Sequence, residues 1–119
     1  IGTWSFEDVR GCDRMSLDPP REIRFEPENS ARVAWTVFEQ YWDYWGRYAW
    51  DPQTGAFSLE PTGGNRLPPD ISATGRLVLE DERQLAISGF HFGTREPETP
   101  SFMVSAEEAG CTLVFRRQR

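Results

Sequence analysis

Apolar side chains recur at every second position along most of this chain, in short stretches. Val33, Trp35 and Val37 alternate with Arg32, Ala34 and Thr36, and Ala73, Gly75, Leu77 and Leu79 alternate with Thr74, Arg76 and Val78. A period of two marks a strand with one buried face. The pattern predicts strands over 2–8, 22–26, 32–38, 41–50, 56–60, 73–80, 84–92, 101–105 and 112–116. Helical periodicity is absent apart from a weak trace around Cys12 to Leu17. Turn chemistry separates the stretches, as in Asp18-Pro-Pro, Pro27-Glu-Asn-Ser, Asp51-Pro-Gln-Thr-Gly, Glu80-Asp-Glu-Arg and Glu107-Glu-Ala-Gly. Such residues preset φ, tolerate φ > 0 or bond their own backbone. Two longer gaps, 9–21 and 61–72, read as loops.

Consecutive short strands without crossover helices read as an antiparallel meander. A sheet of this kind must hide its edges, and closing on itself removes them. The expected architecture is all-β: one antiparallel up-and-down barrel of about eight strands, forming a single domain over residues 1–119. Closure would bring the first strand beside the last, and with it Cys12 toward Cys111. A disulfide between them and two separate buried thiols are both open readings.

The densest feature is the run Tyr41-Trp42-Asp43-Tyr44-Trp45-Gly46-Arg47-Tyr48-Ala49-Trp50, which holds six aromatic rings. In an unbroken strand, Trp42, Tyr44, Gly46, Tyr48 and Trp50 share one face. Tyr41, Asp43, Trp45, Arg47 and Ala49 share the other, and its two charges direct it outward. The first face then looks into the barrel, with local space expected at Gly46. Buried Tyr and Trp need partners for their polar edges. The stripe therefore either fills a core or lines a site for a flat, partly polar molecule.

Composition narrows the partners. A net charge of −6 and the lack of a basic stripe argue against nucleic acid. No apolar run approaches the roughly 20 residues of a membrane helix. All 13 basic residues are arginine, which excludes lysine Schiff bases and P-loops. It also fits a GC-rich bacterial source. No cofactor is expected, and no metal: there is one histidine, no HExxH and no cysteine cluster.

Gly2-Thr3-Trp4, at the start of the first strand, resembles the Gly-x-Trp signature of lipocalins and related calycin barrels. In that group the tryptophan plugs the closed end of the barrel. Gly46-Arg47-Tyr48, a tight turn and Phe57-Ser58-Leu59 are similar to the middle hairpins of small lipocalin-like bacterial domains. The lipocalin Thr-Asp-Tyr signature and C-terminal helix have no match. The resemblance thus implies a compact calycin-like barrel rather than the classical transport family.

The leading functional expectation is a binding protein for a small apolar or aromatic molecule held in the barrel. Its candidate ligand-binding residues are Trp35, Trp42, Tyr44, Tyr48, Trp50, Phe90 and His91. No catalytic residue is assigned. The alternatives are a barrel cyclase or isomerase using His91, Tyr48 and Asp43, and an interaction module using Tyr41 and Trp45, which would also serve a homodimer. If Gly89 makes a bulge, Phe90 and Phe92 turn inward and His91 outward; without one, His91 joins Leu85 and Ile87. Glu80, Asp81 and Glu82 read as a solvated turn, and Arg32 and Arg76 as exposed.

Overall fold

The computed structural model describes residues 2–11, 19–35, 42–65, 67–68, 71–93 and 111–118. Eight strands account for about two thirds of them: β1 (Gly2–Arg10), β2 (Glu22–Glu26), β3 (Ser30–Ala34), β4 (Tyr44–Trp50), β5 (Ala56–Gly64), β6 (Thr74–Asp81), β7 (Gln84–Ser88) and β8 (Thr112–Arg117). Each pairs antiparallel with the next, and β8 returns to β1, closing the barrel. The expected strand over 101–105 lies outside the described residues, as do Tyr41 and the Cys12 end of the cysteine pairing. Cys111 is disulfide-bonded and fully buried, and Cys12 is the only other cysteine in the sequence.

The two ends of the barrel differ. Strands β2 and β3, β4 and β5, and β6 and β7 are joined at one end by short turns at 27–29, 51–55 and 82–83. Long connections at 11–21, 35–43, 65–73 and 89–111 all leave the opposite end. Local chemistry explains the short turns. Asp51 accepts the Gln53 N–H at 2.9 Å, and Gly55 at φ +82° donates back to the Asp51 carbonyl at 2.7 Å. Asp81 accepts the Arg83 N–H at 2.7 Å. Both are Asx-type turns, in which a side chain replaces a backbone acceptor.

The interior is aromatic. Tyr48, Phe25, Phe57, Phe90, Phe92, Phe115 and Phe6 form an unbroken sequence of edge-to-face contacts, with centroids 4.8–6.4 Å apart. This geometry sets positive ring edges against negative faces. Aliphatic side chains from the other strands, among them Ile23, Val33, Leu85, Ile87 and Leu113, complete the core. Trp4 is buried close to the start of β1.

Four expectations need correction. The aromatic strand begins at Tyr44, after a bend at Asp43. Asp43 is therefore not an outward residue: it is 1% exposed, and its carboxylate accepts the Trp35 N–H at 2.7 Å. Trp42 is displaced from the interior stripe and lies against Arg24, whose guanidinium sits 5.9 Å from the ring centroid. Nor is there space at Gly46. A Cβ there would stand 2.3 Å from the Glu60 carbonyl oxygen, so the β5 backbone occupies the room a side chain would need. That approach accompanies a bulge, since Trp45 pairs with Gly63 but Gly46 pairs with Pro61.

Strand β5 also continues to Gly64, through residues whose turn chemistry predicted a loop. Strand β7, by contrast, stops at Ser88, where Gly89 takes φ +62°. Phe90 and Phe92 are both buried beyond that point, and His91 is half-buried, in keeping with the bulged alternative.

Candidate ligand site

The wall of the barrel is not uniformly zipped. Strands β5 and β6 share only three registered pairs, from Ala56–Arg76 to Ser58–Thr74, followed by one further bond from the Leu59 N–H to the Ala73 carbonyl at 3.0 Å. Alternate residues of a strand aim their N–H groups at the same neighbour. The next donor due toward the β6 side is residue 61, which is proline and has none. The zipper stops there, while β5 continues along β4 to Gly64.

A cleft of about 520 Å³ opens at this place. It is lined by Arg47, Tyr48, Ala49, Ser58, Leu59, Glu60 and Pro61 from β4 and β5, and by Ile71, Ser72, Ala73 and Thr74 from the approach to β6. The lining takes residues of both parities, as expected where a wall parts. Tyr48 and Leu59 are opposed in the β4–β5 register and belong to the inward set, whereas Arg47 and Glu60 belong to the outward set. Tyr48 packs edge-on against Phe25, with centroids 4.8 Å apart. Burial pushes the Tyr48 hydroxyl above its ordinary pKa, so at neutral pH it stays a neutral hydrogen-bond donor and acceptor.

The candidate residues fall into distinct places. Trp35, Tyr44 and Phe90 are packed in the core. The Tyr44 hydroxyl donates to the Phe92 carbonyl at 2.8 Å, and the two rings of Trp35 and Tyr44 lie 6.1 Å apart. Trp50 is half-buried and donates its indole N–H across β5 to the Leu77 carbonyl at 2.8 Å. The polar edges of Tyr44 and Trp50 are thus satisfied within the chain. His91 holds Ser72 in place: its N–H donates to Ser72 Oγ, and its carbonyl accepts the Ser72 N–H, both at 2.9 Å. Of the seven candidates, Tyr48 alone lines the cleft, and His91 supports it through Ser72. Asp43 and His91 do not line it, so the cleft does not unite the residues of the enzymatic alternative.

Trp45 has an intrachain role. A Cβ added at Gly63 would stand 3.1 Å from its indole nitrogen, so the ring lies over the glycine opposite it. Apart from Tyr48, the residues lining the cleft, Pro61 and Ile71 among them, were not among the candidates. Proline inside an otherwise continuous strand was the available signal, because it marks a strand side without a partner.

Among the described residues, no group of three or more histidine, cysteine, aspartate or glutamate side chains could hold a metal ion. No helix among them is long and apolar enough to cross a membrane. Fold and site together define a closed, eight-stranded antiparallel barrel with a buried aromatic cluster and a parted wall, an architecture compatible with a ligand-binding domain. Comparison of the chain with protein-family models, with curated proteins and with solved structures finds no match.

Proposed function

We propose that this chain binds a small molecule with a flat apolar body and a polar end, received at the parted seam between β5 and β6 with Tyr48 as its innermost contact. The observation that carries this reading is the cleft of about 520 Å³ where the zipper ends at Pro61. Its volume falls within the roughly 300–1,000 Å³ usual for small-molecule sites. Leu59, Ile71 and Ala73 offer apolar surface, and the Tyr48 hydroxyl, Ser58 and Thr74 offer hydrogen bonds to a polar end. Burial at about 25 cal/mol per Å² of apolar area makes affinity on the order of micromolar attainable without an ion pair. A calycin-like barrel that carries its ligand in the wall agrees with an axis already occupied by rings.

The test is titration with a panel of aromatic and alkyl-aromatic probes, followed by intrinsic fluorescence and calorimetry. Saturable one-to-one binding is expected, weakened about tenfold or more by Tyr48→Ala through lost apolar contact. If every probe fails to saturate, or Tyr48→Ala binds as the parent does, this reading is wrong.

A further inference from the structure

A second cleft, of about 350 Å³, lies at the short-turn end of the barrel, between the β6–β7 turn and the end of β8. It is lined by Glu82, Arg83, Arg116, Arg117 and Gln118. Three arginines and one glutamate line this small concavity in a chain whose net charge is −6. The overall field of such a protein repels anions. A local gathering of arginines against that field is the opposite of what an evenly solvated surface would show.

The cleft is organised by backbone. The Arg117 N–H donates to the Arg83 carbonyl at 2.7 Å, so the two side chains spring from adjacent strands. Asp81 fixes the turn that carries Arg83 by accepting its N–H at 2.7 Å. The next residue, Gln118, donates its N–H to the Thr3 carbonyl at 2.8 Å and its side-chain amide to the Ser5 hydroxyl. Arg117 itself lies over Gly2: a Cβ there would meet its Nε at 3.1 Å, so the absence of a side chain seats the guanidinium.

Charge pairing leaves capacity in the cleft. Arg116 is bound to Glu7 at 3.2 Å, both groups being solvent-exposed. Arg83 and Arg117 make no ion pair with any carboxylate among the described residues. Two guanidinium groups without an ion pair among the described residues, rooted one backbone hydrogen bond apart, supply the donors that a tetrahedral oxyanion needs.

We infer that this cleft is a binding site for a dianionic phosphate group, held between Arg83 and Arg117 with Gln118 as a neutral donor. The group is either free, as inorganic phosphate or a monoester, or the headgroup of a phosphomonoester lipid.

Titration of the whole chain with inorganic phosphate, read by calorimetry and by the amide shifts of Arg83, Arg117 and Gln118, tests this. Saturable binding is expected, weakening with added chloride as screening requires. Arg83→Ala and Arg117→Ala should each weaken it about tenfold, the loss of one charge-assisted contact. Arg32→Ala removes the same charge on β3, where that arginine is paired with Glu26, and should leave the affinity unchanged. Sedimentation with phosphatidic acid vesicles, against phosphatidylcholine vesicles, separates the two sources: binding there adds the lipid headgroup, and its absence leaves the free anion. Non-saturating shifts, or equal losses in all three variants, would show diffuse charge attraction and overturn the assignment.

Discussion

The seam between β1 and β8 and the seam between β5 and β6 close the same ring in opposite ways. Six registered pairs, from Trp4–Arg117 to Arg10–Thr112, lock the first. Only three pairs hold the second, and a cleft begins where they end. Yet both seams border the same aromatic core: Phe6 and Phe115 meet behind one, Phe57 and Phe90 behind the other. A barrel of this kind does not depend on uniform strand pairing. Side chains crossing the interior hold the staves together, which frees one length of backbone pairing to be replaced by an opening.

The sharpest way to break that comparison is to remove a ring from behind the open seam. Phe90 is fully buried between Phe57 and Phe92. Phe90→Ala is expected to cost about 3–5 kcal/mol in denaturant unfolding, as large cavities in packed cores do. A loss below about 1 kcal/mol would mean that the rings are not what spans the weak side, since that is the size of a tolerated conservative repacking. Next in size is Gly46→Ala, on the seam just before the opening. Its methyl group would collide with the Glu60 carbonyl. Displacing β5 should cost about 1–3 kcal/mol, the range for overpacking.

A third variant sharpens the contrast by repairing it. Pro61→Val restores an N–H on the side that faces the approach to β6. One more backbone bond would add about 0.5–1.5 kcal/mol of stability, and hydrogen exchange would slow at that amide. Probe binding at the cleft should weaken at the same time. Gain of stability with unchanged binding would separate the opening from the ligand site.

The smallest effect is reserved for Arg10 on β1 and Glu80 on β6, which make a two-pronged ion pair at 2.7 and 2.8 Å on the surface. The Arg10 guanidinium, helped by the Gln84 amide, lowers the Glu80 carboxyl from 4.5 to about 2. A carboxyl whose pKa is depressed on folding stabilises the native state above its unfolded value. That contribution is lost as pH falls from about 4.5 to about 2. Both partners are exposed, so solvent screening keeps the pair weak. Glu80→Gln should flatten this part of the acid-unfolding profile and leave stability at neutral pH nearly unchanged.

Much of this was legible from residue order. Alternation at 73–80 and 84–88, with Asx chemistry between, is enough to specify a hairpin, and β6 and β7 form one. Parity turns Tyr44 inward, and the bulged alternative at Gly89 turns Phe90 inward; both were candidate ligand contacts, and both are packed in the core. Other features depend on partners distant in the chain. Asp43 looks like a surface charge until the Trp35 N–H, eight residues earlier, is brought against it. Gly46 looks like a gap until the β5 backbone arrives. Pro61 resembles the end of a strand because proline is rare inside paired strands; here the strand runs on along β4, and the missing donor falls on the β6 side, where pairing stops. The cleft follows from that local detail, which pattern periodicity does not encode.

The bond from Gln118 to the Thr3 carbonyl has a practical meaning. It places the first and last staves of the ring side by side, so a short covalent bridge could join residues 2 and 118 without distorting either. New termini could then be opened in the tight bend at 82–83 or in the five-residue bend at 51–55. A molecule rewired in this way would keep every stave beside its present neighbours, and would let a reporter be inserted at a chosen point on the rim.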